Sequence, residues 1–205
     1  MPKKIDHEKR KENILQTALQ VFAREGYRDS NLSLIAKECK ISRPTIYQYF
    51  KNKEEIYYFA VKLVTGRMFK KYADYAWETK DPIVDRIINI CNDVIDMANE
   101  HKDALTALVD VMLILKKEGQ DFSDVILKRT AKLHILFKRL LRLGIANKEI
   151  VEVDISKVTH HIMLFLESFS FQLAFLESFN LESSKELIAN YLELLKPPMQ
   201  RAPSF

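Results

Sequence analysis

The chain has 205 residues, 47% apolar and 29% charged, the balance of a soluble globular protein with room for one or two cored domains. Four glycines and six prolines are about 5% of the chain against roughly 12% in average proteins, which excludes many-turned β sandwiches, collagen-like repeats and Gly-rich phosphate loops. The formal charge of +4 is uneven: residues 1–53 hold 12 Lys/Arg against 6 Asp/Glu, and the remaining 152 hold 20 against 22, so a polyanionic partner is expected to meet the N-terminal part.

Ile14, Ala18, Val21 and Phe22 recur at helical spacing, and Gly26 follows as a terminator. A first helix is therefore predicted from Asp6 or His7 to Glu25. Ser30 or Asn31 caps a short second helix whose Leu32, Ile35, Ala36 and Cys39 face inward. Lys40-Ile41 turns the chain, and Ser42 caps a third helix from Arg43 to about Tyr49, with Pro44 in the first turn where a missing N–H does no harm. Asn52 with Glu55 three residues on has the form of a capping box and starts a long fourth helix.

Asp81-Pro82 reads as a cap followed by proline at the first helical position, and Ile83, Ile87, Cys91, Val94, Ile95 and Ala98 keep one face apolar. Leu105, Leu108, Met112 and Leu115 mark the next helix, which Gly119 closes. A longer one carries Phe122, Ile126, Leu133, Phe137 and Leu140 and ends near Gly144. Ile145 to Val153 is predicted as a loop, after which Asp154 or Ser156 starts another helix. The absence of proline between Pro82 and Pro197 fits only stacked helices. The expectation is an all-α fold of about nine helices, divided into a unit over 8–53, a second over 54–196 and a frayed tail over 197–205.

Two short helices joined by a tight turn, the second opening in polar and aromatic residues, follow the helix-turn-helix plan, here about 31–50. The strings Leu32-Ser33-Leu34-Ile35-Ala36-Lys37-Glu38, Ile41-Ser42-Arg43-Pro44-Thr45-Ile46-Tyr47-Gln48-Tyr49-Phe50 and Asn52-Lys53-Glu54-Glu55-Ile56 resemble the TetR family of bacterial transcriptional regulators over about residues 8–60. The resemblance implies a homodimer with an N-terminal three-helix DNA-binding domain and a C-terminal helical domain that binds a small effector and dimerises. It places Ser42, Arg43, Pro44, Thr45, Tyr47, Gln48 and Tyr49 against DNA, and Ser30 and Lys53 at backbone phosphates. Arg43 suits guanine O6/N7 and Gln48 suits adenine N6/N7, while hydroxyls and helix N-termini hold phosphates. Lys40 departs from the glycine common at that turn and predicts a strained lysine with positive φ. Lys3, Lys4, Lys9, Arg10 and Lys11 form a basic run, either an arm for the DNA backbone or a solvated surface.

Residues 162–179 hold 12 apolar side chains of 18, interrupted by Glu167, Gln172 and Glu177, and are too short and too charged for a membrane span. Ser170, Ala174 and Ser178 form a small-residue stripe at i, i+4, i+8. Together with Phe169, Leu173, Leu187, Tyr191 and Leu195 they are the expected dimer surface. Candidate effector contacts are Phe69, Tyr72, Tyr75, Trp77, Met97, Met112, Phe137 and Phe165, a set that favours an apolar or aromatic small molecule. Gly66 is either a flex point or a tolerated glycine.

Catalytic motifs are missing: no G-x-S-x-G, Walker loop, H-E-x-x-H or cysteine pair at metal spacing occurs. No catalytic residue, metal or cofactor is expected. The isolated Cys39 and Cys91 fit a reducing cytoplasm, and the Met1-Pro2-Lys3-Lys4 start has no signal-peptide pattern. A ligand-released repressor of operator DNA is the leading expectation. Its competitors are an activator or ligand-independent DNA binder of the same fold, and a helical enzyme or carrier.

Overall fold

The computed structural model describes residues 6–119 and 123–200. Lys3, Lys4, Phe122 and the last five residues of the tail lie outside them, as do the side chains of Leu108 and Ile126. Among the described residues there are nine α-helices and no strand: α1 His7–Glu25, α2 Leu32–Glu38, α3 Arg43–Tyr47, α4 Lys53–Glu78, α5 Ile83–Glu100, α6 Lys102–Lys117, α7 Ser123–Ala146, α8 Ile155–Phe175 and α9 Leu181–Glu193. A single 3-10 turn, Pro198–Gln200, follows α9. No helix among the described residues is long and apolar enough to cross a membrane.

The chain forms two compact units, one of residues up to Met68 with Thr106–Ile126, the other of Phe69–Leu105 with residues from Leu127 onward. The division falls within α4 rather than at its start. In the first unit, α1 buries Ile14, Leu15, Ala18, Val21 and Phe22 against Ile35 and Ala36 of α2, Ile46 of α3, Ile56 and Ala60 of α4, and Val111 and Leu115 of α6. Local chemistry sets the starts of these helices. Asp6 accepts the Lys9 N–H, Asn31 the Leu34 N–H and Ser42 the Thr45 N–H, at 3.1, 3.0 and 3.3 Å, each satisfying a donor that a first turn leaves open. Asn52 accepts the Glu55 N–H at 2.8 Å, and the Glu55 carboxylate reaches back to the Lys51 N–H at 2.6 Å, one residue beyond the usual capping box. Gly26 leaves α1 at φ +79°. Lys40 sits at φ +55°, the predicted lysine in a left-handed turn, and its neighbour Ile41 donates its N–H to Ala36 O at 3.0 Å.

In the second unit α5 packs against both α8 and α9. It runs antiparallel to α9, because Asp85 pairs with Lys196 at 3.0 Å and Asp96 with Lys185 at 2.6 Å. Both lysines are largely covered, and the two pairs, eleven residues apart along each segment, with Lys185 on α9 and Lys196 just past its end, fix the register. Ile83, Val84, Ile87, Ile90, Cys91 and Ile95 fill the α5 face.

Two sequence expectations change here. Asp81 does not cap α5: Pro82 occupies the cap position with no side-chain cap of its own, and the Ile83 N–H donates to Glu149 Oε2 at 2.7 Å, an acceptor 66 residues away. Asp81 instead accepts from the Tyr75 hydroxyl at 3.1 Å. Gly144 lies inside α7 and does not end it. A Cβ there would stand 2.5 and 2.8 Å from Ile150 Cδ1 and Cγ1 and 3.2 Å from Ile83 Cγ2, so the glycine is required by close packing. The turn that ends α7 uses Lys148, at φ +60°, with the Glu149 and Ile150 N–H groups both on Gly144 O.

Candidate functional site

The helix-turn-helix element has its polar side chains on the outside. In α3 only Ile46 is buried, and it anchors the helix to the first unit's core. Ser42, Arg43 and Pro44 before it and Tyr47 and Gln48 after it are exposed, with Thr45 half-buried. Tyr47 leaves 48% of its surface accessible, and the Arg43 guanidinium lies 5.9 Å from its ring centroid. Thr45 and Ser42 share a hydroxyl hydrogen bond of 2.7 Å. Helical geometry stops at Tyr47, and Gln48 is the C-cap with its backbone N–H on Thr45 O and Ile46 O, so α3 is two residues shorter than expected. Tyr49 shares a 2.9 Å hydrogen bond with His7 Nδ1. Lys11, one turn along α1, lies 4.5 Å from the Phe59 ring centroid and 5.7 Å from that of Phe50. His7 and Lys11 thus bind α1 to the segment leaving the recognition helix, a role missed in the sequence although their i, i+4 spacing puts them on one face.

Two expected phosphate contacts are engaged internally. Ser30 is 2% exposed and donates to Tyr27 O at 2.7 Å, so its hydroxyl locks the turn between α1 and α2. The Lys53 ammonium donates to Tyr27 O at 2.7 Å, Arg28 O at 3.3 Å and Ser30 O at 3.4 Å, and lies 4.3 Å from the Tyr27 ring centroid. Tyr27 in turn donates to Glu54 at 3.0 Å. Burial, with Glu54 beside it, pushes the Tyr27 phenol far up and keeps it neutral. The cause of both corrections is the loop at 27–30, whose carbonyls point at the start of α4 and need donors.

In the second unit, Tyr72 and Tyr75 come together in a cavity of about 280 Å³ between α4 and α5, with Lys71, Asn89, Ile90 and Asp93. The other expected effector contacts do not join them there. Phe137 is fully buried, Met97 is half-buried, and Phe69 lies under Lys132, 5.1 Å from its ring centroid. Phe165 stacks on Phe169 at 6.0 Å and meets the Tyr191 ring edge-on at 5.4 Å. Met112 belongs to the first unit. Trp77 is 48% exposed, because Tyr72 and Ala76 face inward and the next residue is turned about 100° from Ala76.

The expected dimer surface divides in the same way. Phe169, Leu173, Ala174 and Leu195 are buried within the chain's own core. The small-residue stripe fails because α8 ends at Phe175, so Ser178 stands beyond the helix, while Ser170 donates to Leu166 O at 2.7 Å. Leu187 is exposed, and Tyr191 shares a 2.8 Å hydrogen bond with His161. Large exposed apolar side chains appear one step around α8 at Leu164, Phe171 and Phe175, and on α9 at Leu187 and, just past its end, Leu194. The Phe171 and Phe175 rings lie 4.6 Å apart.

Residues 14–58 match the family model described as bacterial regulatory proteins, tetR family. The HTH-type transcriptional regulator PksA of Bacillus subtilis is 36% identical over 76 residues, 37% of this chain and 37% of that protein, and the chain spans less than half the length of the curated relatives it matches. Among solved structures, a TetR transcription regulator from Haloarcula marismortui has a TM-score of 0.81 at 19% identity, covering 93% of this chain and 100% of that one. The regulator FadR from Bacillus subtilis, in complex with stearoyl-CoA, has a TM-score of 0.72 at 21% identity, covering 88% and 96%. These two share the fold. The N-terminal module, residues 14–58, is thus similar to that of the TetR family of bacterial regulatory proteins, and the helical fold is shared with these solved structures.

Proposed function

We propose that the protein is a homodimeric transcriptional repressor that binds operator DNA through α3 and leaves it when a small, largely apolar or aromatic effector binds the C-terminal helices. The observation that carries the DNA-binding part is α3 itself, a capped helix held by one buried residue, Ile46, with Ser42, Arg43, Pro44, Tyr47 and Gln48 left exposed. Such a helix has nothing to bury outward and its donors suit a major groove. Arg43 and Gln48 are assigned to base edges, Thr45 to a thymine methyl, and Tyr47, Tyr49 and the Ser42 cap to the backbone. Regulation without catalysis fits the relatives, which are transcriptional regulators.

One short helix reads too few bases to bind tightly, so two copies on half-sites about one turn apart are required. Leu164, Phe171 and Phe175 with Leu187 and Leu194 form the apolar surface that a second copy would cover. That a protein of this fold holds stearoyl-CoA supports an effector with an apolar body.

The test is selection of bound sequences from a random DNA pool, followed by gel shifts. Gln48→Ala should bind the selected operator with relaxed base preference, and Leu187→Glu should elute as a monomer and lose half-site cooperativity. Absence of any enriched sequence at low salt refutes the DNA-binding proposal.

A further inference from the structure

We propose that His7 is a positioning residue for Tyr49 in DNA binding, and that a proton taken up from solvent by its imidazole turns the Tyr49 hydroxyl toward a backbone phosphate. This role depends on the DNA-backbone assignment of Tyr49 proposed for the repressor. Tyr49 is half-buried in the segment that leaves α3, next to the exposed Gln48, and its hydroxyl lies 2.9 Å from His7 Nδ1. The ring centroids are 5.9 Å apart with the planes inclined by 36°, so ring contact holds the pair together with the polar atoms. His7 itself is exposed, and water can supply the proton.

A phenol carries one proton, and the oxygens of a phosphodiester only accept. When Nδ1 of a neutral His7 lacks hydrogen, the Tyr49 O–H donates to it and no donor is left for DNA. When Nδ1 carries hydrogen, His7 donates to the Tyr49 oxygen and the phenol proton is free to reach a phosphate. A neutral imidazole has its N–H on either nitrogen, whereas the imidazolium has both, so protonation fixes the second arrangement and makes the bond charge-assisted. The surroundings suit an arriving anion. Lys11 and Lys62 lie 4.5 and 5.9 Å from the Phe59 ring centroid, Arg10 follows His7 by three residues, and Lys51 follows Tyr49 by two. Of the acids, Asp6 accepts the Lys9 N–H and Glu55 the Lys51 N–H, while Glu8 is turned about 100° from His7 around α1. With cations in excess and the positive end of the α1 dipole beside it, the imidazolium needs an anion. A DNA phosphate is the one the proposed interface brings, so binding DNA takes up a proton and lower pH favours the complex.

His7 is the one histidine of the first unit, the other four belonging to the second, and histidine changes charge between about pH 5 and 8. The affinity of the full-length protein for the selected operator duplex is measured by fluorescence anisotropy at about pH 6 and 8 and at constant ionic strength. Wild type should bind about three- to tenfold tighter at the lower pH. His7→Phe keeps the ring contact without a donor, and Tyr49→Phe keeps the ring without the hydroxyl; both should lose that factor at low pH and gain nothing on acidification. His7→Asn carries an amide Nδ2 in the place of Nδ1 and donates at either pH, so it should bind near the wild-type low-pH level throughout. Melting curves establish that each variant folds. Absence of any enriched operator overturns the repressor reading and this role with it. Once an operator binds, a flat wild-type profile, an undiminished response in His7→Phe, or His7→Asn as weak as His7→Phe overturns the role of His7 alone. A response that survives Tyr49→Phe means that His7 meets DNA directly, which overturns positioning.

Discussion

Replacing Lys53 by methionine separates a structural role from a DNA-contacting one. The side chain keeps its length and apolar stem but loses the ammonium that donates to Tyr27 O at 2.7 Å and, more weakly, to Arg28 O and Ser30 O. A hydrogen bond from a charged donor contributes about 1.5–3 kcal/mol, and the ammonium over the Tyr27 ring about 0.5–1 kcal/mol at a partly exposed site. Because Lys53 is half-buried and water can replace part of this, a loss of about 2 kcal/mol is expected, or a fall in melting temperature of roughly 4–8 °C for a chain of this size. The assay is paired. Urea unfolding reports stability, and the affinity for selected operator DNA is measured across salt concentrations. A lysine that neutralises a phosphate contributes about one unit to the salt slope. With its ammonium held by three carbonyls, Lys53→Met should lower stability and leave that slope unchanged. Undiminished stability with a slope reduced by about one would refute the clamp and restore Lys53 to the DNA backbone.

Two glycines should respond oppositely to alanine. Gly66→Ala, in α4 with nothing within 4 Å of the added Cβ, should stabilise by about 0.5–1 kcal/mol. Gly144→Ala drives its methyl against buried Ile150 and Ile83 and should destabilise by about 1–3 kcal/mol; equal melting temperatures would count against the close packing. Glu149→Ala should cost about 1 kcal/mol by uncapping α5, more than Asp81→Ala, and a reversed order would return the cap to Asp81. Asp154 caps α8, and its carboxyl is held below the ordinary value chiefly by the Lys157 N–H. It therefore stabilises the fold above its unfolded value of about 4, and that contribution disappears as the pH falls through the lower folded value. Asp154→Asn keeps the acceptor without titrating, so melting curves of the two proteins should converge on acidification; a constant difference would speak against the charged cap.

Residue patterns within one turn of each other were legible without coordinates. Asn31, Ser42, Asn52 and Asp154 cap helices because each acceptor lies two or three residues from its donor, and the positive φ of Lys40 follows from the place of the turn. Contacts made across the chain were not. Glu149 on Ile83, Lys53 on the 27–30 loop and Gly144 under Ile150 join residues far apart in sequence, and no periodicity links them. At Asp81 and Gly144 a local rule named a plausible role, and a distant partner gave the residue another.

The candidate sites follow the same division. The outward face of α3 is legible because its pattern is local: every residue proposed to meet DNA between Ser42 and Tyr49 sits within about two turns, and that face is set once Ile46 is known to point inward. Composition could not choose among the aromatics of the C-terminal helices, since burial and exposure differ by one position in 3.6. Phe169 and Phe171 show the cost of that ambiguity. They are two residues apart, about 200° around α8, and one is core while the other is exposed. An apolar run on a long helix therefore reports that a face is covered without saying by what. If a second copy covers the exposed stripe, Phe171→Asp should abolish dimerisation while leaving the monomer folded, whereas Phe169→Asp should unfold the unit. Light scattering and circular dichroism of the two variants distinguish these outcomes, and a folded dimer in Phe171→Asp would remove α8 from the interface.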